Sequence, residues 1–359
     1  MRSFVRAINT HMNDRPIVEC VPNISEGRDR AKIDRIASVV KAVAGVKLLD
    51  VDPNGDYNRC VITYAGDPQA CVEATFKLTA AALEEIDMTA HKGEHPRSGA
   101  VDVAPFVPVR NITMSECAEL AKQYGKRVGE ELGLPVFLYE AAASIPERKN
   151  LANVRRGEYE ALPEKMASPD WIPDFGPHKF IPKFGCVITG ARFFLVAYNV
   201  NLRTTDVETV HDIALHIRQV GWPLKHANGD VVTSATGKVV HHPGPLQNCK
   251  AMGVLLDQEQ FCQVSINLTN YLVSAPHTAY EQVCYEAKPR KLEVFGSEVV
   301  GLIPLEALLL ASEFYIWRDK LTRPKNVQDA VAIAEERLGL SSFNTFEPRK
   351  KIIEYAIAE

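Results

Sequence analysis

Hydrophobic residues in the first half of the chain follow two periods, one typical of helices and one typical of strands. Ile33, Ile36 and Val40 recur at helical spacing, and short β-branched runs that stop at turn-forming residues are typical of strands. Asp67 followed by Pro68 is typical of a helix start, because the Asp side chain caps free N–H groups and proline suits the first turn. These patterns predict strands over 16–22, 45–52, 59–66, 101–109 and 134–140, and helices over 31–43, 67–86 and 114–133.

The second half repeats the order of elements. It contains predicted strands over 192–202, 249–257, 261–270 and 291–304, and predicted helices over 206–219 and 277–290. Strand–helix–strand–strand–helix–strand is the split βαβ order of ferredoxin-like folds. We therefore predict an α/β protein, an α+β sandwich of two ferredoxin-like βαββαβ subdomains with mixed sheets, helices mainly on one face and a ligand cleft between the subdomains. The predicted divisions are a flexible N-terminal extension over 1–16 and subdomains over 17–193 and 194–359.

Composition narrows the class of partner. The 359 residues include 41 basic and 45 acidic side chains, a net charge of −4, which favours neither nucleic acid nor a membrane surface. The first 16 residues lack the apolar core of a secretory signal. The eight cysteines are scattered without a CxxC pair, which indicates free thiols in a reducing compartment, so we expect a cytoplasmic protein. No P-loop or GxGxxG motif is present, so we expect no bound nucleotide.

Residues 91–103, HKGEHPRSGAVDV, crowd two histidines, an acid and two basic residues around Gly93 and Pro96. A solvated loop, a metal site and a catalytic centre are all compatible with this composition. His91 and His95 are four residues apart, but Gly93 and Pro96 disfavour the helix on which zinc-binding histidines have this spacing. We therefore expect no metal, whereas composition alone does not decide between a loop and a catalytic centre.

Several long motifs in one order resemble a known family. They include VECVPNISEGRD, LLDVDPNGDYNR, IDMTAHKGEHPRSGAVDVAPFVPV, RRGEYEALPEKM and WIPDFGPHKFIPKFGCVITGARFFLVAYNVNL. Together they resemble the formiminotransferase domain of glutamate formimidoyltransferases, more densely in the first half of the chain than in the second. The resemblance implies transfer of the formimino group from N-formimino-L-glutamate to N5 of the co-substrate tetrahydrofolate, giving 5-formiminotetrahydrofolate and L-glutamate in histidine degradation. It also implies a homodimer.

By this resemblance His95, in the GEHPR motif, is the catalytic residue and Asp52 assists it. One imidazole with an ordinary pKa near ~6.5 can accept the proton that N5 loses and return it to the departing glutamate nitrogen. Asp52 is expected to orient His95 or to stabilise the cationic amidinium. The family's folate-binding stretch corresponds to Gly176, Pro177, His178, Lys179, Phe180, Ile181, Pro182, Lys183, Phe184 and Gly185.

Other polar candidates come with structural alternatives. Asn23 and Ser25 precede a predicted helix, where they either help to bind a substrate carboxylate or cap the helix. Asn58, Arg59 and Arg97 are candidate carboxylate binders. For Arg59 a surface salt bridge is the alternative.

Aromatic and buried amide residues supply the last candidates. Phe180 and Phe184 either contact the pterin or benzoyl ring of folate or pack in the core. Asn199 and Asn201 lie on one face of an apolar strand. Buried amides need partners, which favours a role for both asparagines in lining the site.

Two other functions stay open at this point. The chain could be a non-catalytic folate-binding or assembly protein on the same scaffold, or a formyl rather than a formimino transferase. In bifunctional relatives a cyclodeaminase domain follows the transferase, whereas this sequence ends at Glu359, directly after KIIEYAIAE. We therefore expect a monofunctional enzyme.

Overall fold

Residues 15–256 and 258–358 are described in the computed structural model of the protein. They fall into two units, residues 15–193 and residues 194–358. Residues 1–14 of the predicted N-terminal extension lie outside the described part of the chain.

A seven-stranded sheet is the frame of the described part of the first unit. Its strands are β1 (Ile17–Cys20), β2 (Asn23–Ile24), β3 (Val46–Asn54), β4 (Arg59–Gly66), β5 (Val101–Arg110), β6 (Val136–Glu140) and β7 (Val187–Ala191). At one end of the sheet the strands are antiparallel, in the order β3, β4, then β1 and β2 in one position, then β5. At the other end β7 pairs in parallel with β5, and β6 pairs in parallel with β7.

Three helices cover one face of this sheet and form the larger core with it. They are α1 (Arg30–Lys41), α2 (Pro68–Glu85) and α3 (Met114–Glu131). As predicted, the side chain of Asp67 caps α2 and accepts hydrogen bonds from the N–H groups of Gln69 and Ala70. The cap of α1 is Asp29 rather than Asn23 or Ser25, so the capping alternative for those two residues is wrong.

Short helices cover part of the opposite face. They are α4 (Leu151–Arg155) and α5 (Leu162–Ala167), and their apolar residues form a smaller cluster with Val103, Phe137 and Ile188 of the sheet. The sequence analysis predicted neither helix, and it missed β7. A short parallel strand that is buried on both faces has no alternation of apolar and polar residues to mark it.

The strands of the second unit are β8 (Val196–Leu202), β9 (Trp222–Pro223), β10 (His241–His242), β11 (Cys249–Leu256), β12 (Phe261–Leu268) and β13 (Val294–Val300). Four of them form an antiparallel sheet in the order β11–β12–β8–β13, and the short strands β9 and β10 form a separate pair. Its helices are α6 (Val207–Ile217), α7 (Pro276–Ala287), α8 (Leu305–Arg318), α9 (Val327–Leu338), α10 (Pro348–Lys351) and α11 (Ile353–Ala358).

Both units therefore contain the predicted βαββαβ order, and their antiparallel strands follow the ferredoxin-like arrangement. The prediction of a mixed α/β fold is confirmed. All eight cysteines are free thiols; seven are buried and Cys284 is half-buried. Within the described residues, no helix has the length and apolar character to span a bilayer.

Candidate active site

The loop that carries His95 packs closely against the turn between β3 and β4. A Cβ atom on Gly93 would lie 2.3 Å from the carbonyl oxygen of Tyr57, so only glycine permits this approach. A Cβ atom on Gly99 would lie 2.1 Å from the carbonyl oxygen of Cys186. The backbone of the loop is therefore held from both ends.

His91 is locked in one protonation state by its partners. Its Nδ1 accepts a hydrogen bond of 3.2 Å from Nε of Arg97, which is always a donor. Its Nε2 must then carry the proton that is donated to the carbonyl oxygen of Asn58, 2.9 Å away. Burial lowers the pKa of His91, which also favours the neutral ring. His91 thus supports the loop and has no free nitrogen for proton transfer.

Arg97 is also occupied by the protein. Its guanidinium donates to Glu158 at 3.0 Å and to Glu160 at 2.9 and 2.6 Å, and its side chain is buried. Its carbonyl oxygen accepts from the N–H of Tyr159. Since the guanidinium is already paired with two carboxylates, most of its donors are engaged within the protein, and its role as a carboxylate binder stays a prediction. It joins the loop that carries His95 to segment 157–160.

His95 differs from His91 in its hydrogen bonding. Within the described residues neither of its nitrogens forms a hydrogen bond, and its ring meets the edge of Tyr57 at a centroid distance of 6.3 Å. Burial, and then the positive charges of Arg59, Arg155 and Arg97, lower the pKa of His95 to about 4. At neutral pH the ring is therefore uncharged, with a lone pair free to accept a proton.

Arg59, at the start of β4, is only partly satisfied. Its Nη1 donates to Oδ1 of Asn23 at 2.9 Å, while its buried Nε has no partner within the described residues. Burial lowers the pKa of Arg59, and the nearby carboxylate of Asp52 opposes that shift. Asp52 is exposed on β3. The structure therefore places Asp52 beside Arg59, with a donor available for an anion.

Asn58 and Ser25 serve the scaffold. The side chain of Asn58 accepts from the N–H of Gly27 at 3.0 Å and donates to the carbonyl oxygen of Lys92 at 2.9 Å, and it is 8% exposed. The hydroxyl of buried Ser25 donates to the carbonyl oxygen of Gly99 at 2.7 Å. Both side chains are used in joining loops, and their contact with substrate stays a prediction.

Asp102 and Arg155 are additions that the sequence analysis missed. Asp102 occupies a β-bulge where β5 has one residue more than its partner β2, and it is fully buried. Its carboxylate accepts from the N–H of Ser98 at 2.9 Å and from both Nε and Nη2 of Arg155. An acid inside the apolar run AVDVAPF was the available signal, because a buried carboxylate requires a cationic partner.

The stretch 176–185 divides into buried and accessible parts. Phe184 is 0% exposed within the helix-side core, which favours the packing alternative for this ring. Phe180 is half-buried, and its ring contacts that of Tyr159 in a tilted arrangement, with a centroid distance of 5.4 Å and an interplanar angle of 54°. Gly185 has a φ of 82°, and a Cβ there would lie 2.3 Å from the carbonyl oxygen of Ser98. The exposed members are Gly176, His178, Lys179, Pro182 and Lys183; Pro177 and Ile181 are half-buried.

Tyr159 also lines a cavity of about 610 Å³ beside the loop that carries His95, together with Met88 and His91. A larger cavity of about 1310 Å³, among residues 144–174, contains none of the predicted site residues. The smaller cavity is lined by Gly93 and Arg97, which lie on either side of His95 in the sequence.

Asn199 and Asn201 belong to the second unit. On the sheet face away from the β8 core residues, they form a network with Gln263, and Asn199 also donates to Glu298 at 3.2 Å. Asn201 is buried, and its Nδ2 has no partner in the described chain. Within the described residues, no cluster of three or more His, Cys, Asp or Glu side chains is arranged to bind a metal.

The low pKa of His95 can be measured directly. We expect its ring to be neutral at pH 6, whereas an unperturbed histidine, with a pKa of 6.5, would be mostly protonated. Because the folded-state pKa is below the ordinary one, the associated stability is complete above pH 6.5 and is lost as pH falls toward 4. NMR of ¹⁵N-histidine-labelled protein, with His95→Gln to assign the signal, tests this. A midpoint near 6.5 would contradict it.

The described geometry defines an α/β protein of two ferredoxin-like units, the first of which carries a neutral histidine among arginines. Residues 17–192 match the N-terminal subdomain of the formiminotransferase domain, and residues 197–358 match the formiminotransferase domain. The chain belongs to the formiminotransferase family.

Curated relatives agree with this assignment. The chain is 44% identical over 300 residues to the glutamate formimidoyltransferase of Streptococcus pyogenes serotype M1, covering 84% of this chain and 93% of the relative. It is 43% identical to the glutamate formimidoyltransferase of Thermoplasma acidophilum, with 84% and 92% covered. It is 47% identical to the formimidoyltransferase-cyclodeaminase of Dictyostelium discoideum, covering 96% of this chain but 60% of that relative's length.

Proposed function

We propose that the protein transfers the formimino group of N-formimino-L-glutamate to N5 of tetrahydrofolate, releasing L-glutamate and 5-formiminotetrahydrofolate. The observation that carries the proposal is the state of His95. It is a neutral imidazole without internal hydrogen bonds, in a loop of restricted backbone, on a chain of the formiminotransferase family.

The transfer needs one proton to be moved at the reacting centre. N5 attacks the amidine carbon and forms a C–N bond, and His95 accepts the proton that N5 loses. The bond between that carbon and the glutamate nitrogen then breaks, and protonated His95 returns the proton to the departing nitrogen. We assign Asp52 the role of stabilising the cationic amidinium, since it is the exposed carboxylate beside Arg59.

Residues 176–185 would hold the folate. The accessible surface of Phe180 on Tyr159, beside a cavity of about 610 Å³, suits a flat aromatic ring. The exposed Lys179 and Lys183 suit the carboxylates of the folate glutamate. Phe184 and Gly185 would support this surface from beneath. Asn199 and Asn201 stay candidates for lining the site.

The assay separates the proposed activity from its alternatives. Enzyme mixed with tetrahydrofolate and formiminoglutamate should release glutamate at a rate proportional to enzyme, and none should appear when tetrahydrofolate is omitted. Substituting N-formylglutamate tests the formyl alternative, in which that donor would be preferred. Folate binding without glutamate release from either donor would support the non-catalytic alternative and refute the transferase.

We also propose that the protein is a cytoplasmic homodimer. The free, buried thiols suit a reducing compartment, and the dimer rests on the family resemblance alone. Light scattering of the purified chain would test the dimer.

A further inference from the structure

Three arginines act on the charge state of His95, and their partners distinguish them. Arg97 is paired with Glu158 and Glu160. Arg155 is paired with buried Asp102. Arg59 forms no ion pair with any residue of the described chain, and only the neutral amide of Asn23 accepts a hydrogen bond from its guanidinium. Arg59 is thus the one arginine of the three that has no carboxylate in contact within the described residues.

Arg59 therefore has donor capacity that the described chain does not use. A guanidinium has five N–H donors, and here the buried Nε is unpartnered within the described residues. A buried donor without a hydrogen-bond partner costs folding free energy, so in native proteins a ligand or a water molecule usually satisfies it. A carboxylate that approaches Arg59 would meet this need.

Arg155 is a second arginine near Arg59 that has an unused donor. Asp102 engages its Nε and Nη2, which leaves Nη1 without a partner in the described chain. β2 lies between β4 and β5, and Ile24 is opposite Cys60 on one side and Val101 on the other, so the residues next to these partners, Arg59 and Asp102, flank the same short strand. The repulsion between the two arginines contributes to the lowered pKa of Arg59. A carboxylate within reach of both guanidiniums could accept from Nε of Arg59 and from the Nη1 of Arg155 that Asp102 does not engage.

Asp102 also ties this pair to the catalytic loop, since it accepts from the N–H of Ser98, three residues after His95. We propose that Arg59 and Arg155 form the receptor for the α-carboxylate of the glutamyl donor and so place its leaving nitrogen at His95. The inference rests on the proposed function. The reacting nitrogen is bonded to the carbon that bears this carboxylate, so anchoring the carboxylate orients the nitrogen. The carboxylates of folate offer the same chemistry, but they are many bonds from N5.

The test compares Arg59 and Arg155 with Arg156, which follows Arg155 in the sequence. Arg155→Gln and Arg59→Gln should each raise the KM for formiminoglutamate by about 10- to 100-fold, the effect of losing one charge-assisted hydrogen-bonded contact. The KM for tetrahydrofolate should change less than about threefold on the same basis. Arg155→Lys should recover only part of the loss, because an ammonium lacks the planar fork. The matched control is Arg156→Gln, since exposed Arg156 donates only to Asn153 among described side chains.

Direct binding separates this inference from the proposed function. L-Glutamate titrated into the wild type and the variants by calorimetry should bind more weakly to Arg155→Gln and Arg59→Gln than to Arg156→Gln, whether or not the wild type turns over. Absence of transferase activity in the wild type would refute the proposed function alone. Equal glutamate affinity in all variants would overturn the receptor, and a selective loss of folate affinity would reassign it to the folate tail.

Two further measurements test whether a loss of folding, rather than a loss of the carboxylate contact, explains the result for Arg155→Gln. Arg155→Gln leaves Asp102 without its cation, so the double variant Arg155→Gln/Asp102→Asn is included to remove the stranded charge. It should keep the raised KM. His95 should also titrate at a higher pH in Arg155→Gln, because a positive charge that opposes its protonation is gone. An unchanged His95 titration would overturn the placement of Arg155 at the site.

Discussion

Replacement of His95 by alanine is expected to reduce kcat by about 10²- to 10⁴-fold, the range usual for general acid–base groups. Folding should be affected little, because His95 makes no hydrogen bonds within the described residues and its ring only meets the edge of Tyr57. Steady-state glutamate release measures kcat, and thermal melting by circular dichroism measures the fold.

Chemical rescue gives this experiment its control. Imidazole added to His95→Ala should restore part of the lost rate if a missing proton carrier is the cause. His91→Gln is the matched loop variant. Both nitrogens of His91 hold the loop, so its loss should lower thermal stability without being rescued by imidazole. Turnover near the wild-type rate in His95→Ala would show that another group moves the proton.

Phe184→Ala is expected to cost about 3–5 kcal/mol of unfolding free energy, as for a phenylalanine removed from a packed core. The ring is 0% exposed and packs in the helix-side core of the first unit. Urea denaturation followed by circular dichroism measures this change. The sequence-based expectation that Phe184 contacts folate directly predicts the reverse, a selective loss of folate affinity on a stable fold.

Phe180→Ala is the matched variant within the same stretch. Its ring is half-buried on Tyr159, so its loss should weaken tetrahydrofolate binding more than it lowers stability. Titration of tetrahydrofolate into both folded variants distinguishes the two positions. If Phe184→Ala were as stable as the wild type, the assignment of this ring to the core would be wrong.

The local pattern of apolar and polar residues was enough to predict the βαββαβ order of both units. Antiparallel strands and amphipathic helices each repeat apolar residues at a characteristic period over a short stretch of sequence. It was not enough for β7, which has no alternation, or for α4 and α5, which are only five and six residues long. Elements that short owe their structure to what they pack against rather than to their own sequence.

The candidate site also has parts that local sequence predicts and parts that it does not. The rigid GEHPR loop could be singled out from its residue types, but the partners of each side chain are distant in sequence. Asp102 and Arg155 are 53 positions apart, and Arg97 and Glu160 are 63 apart. No local rule predicts such pairs. Arg97 and Arg59 therefore looked equivalent in the sequence, although the fold neutralises one and leaves the other unpaired.

The buried thiols have a practical consequence for spectroscopic labelling. Burial raises the pKa of Cys60 and Cys117 to about 12 and that of Cys284 to about 11, so these residues carry little thiolate, the form that reacts with maleimides. Seven of the eight cysteines are also sterically shielded. A cysteine placed at an exposed position such as Lys179 would then be a selective attachment point for a fluorophore, without first removing the native ones.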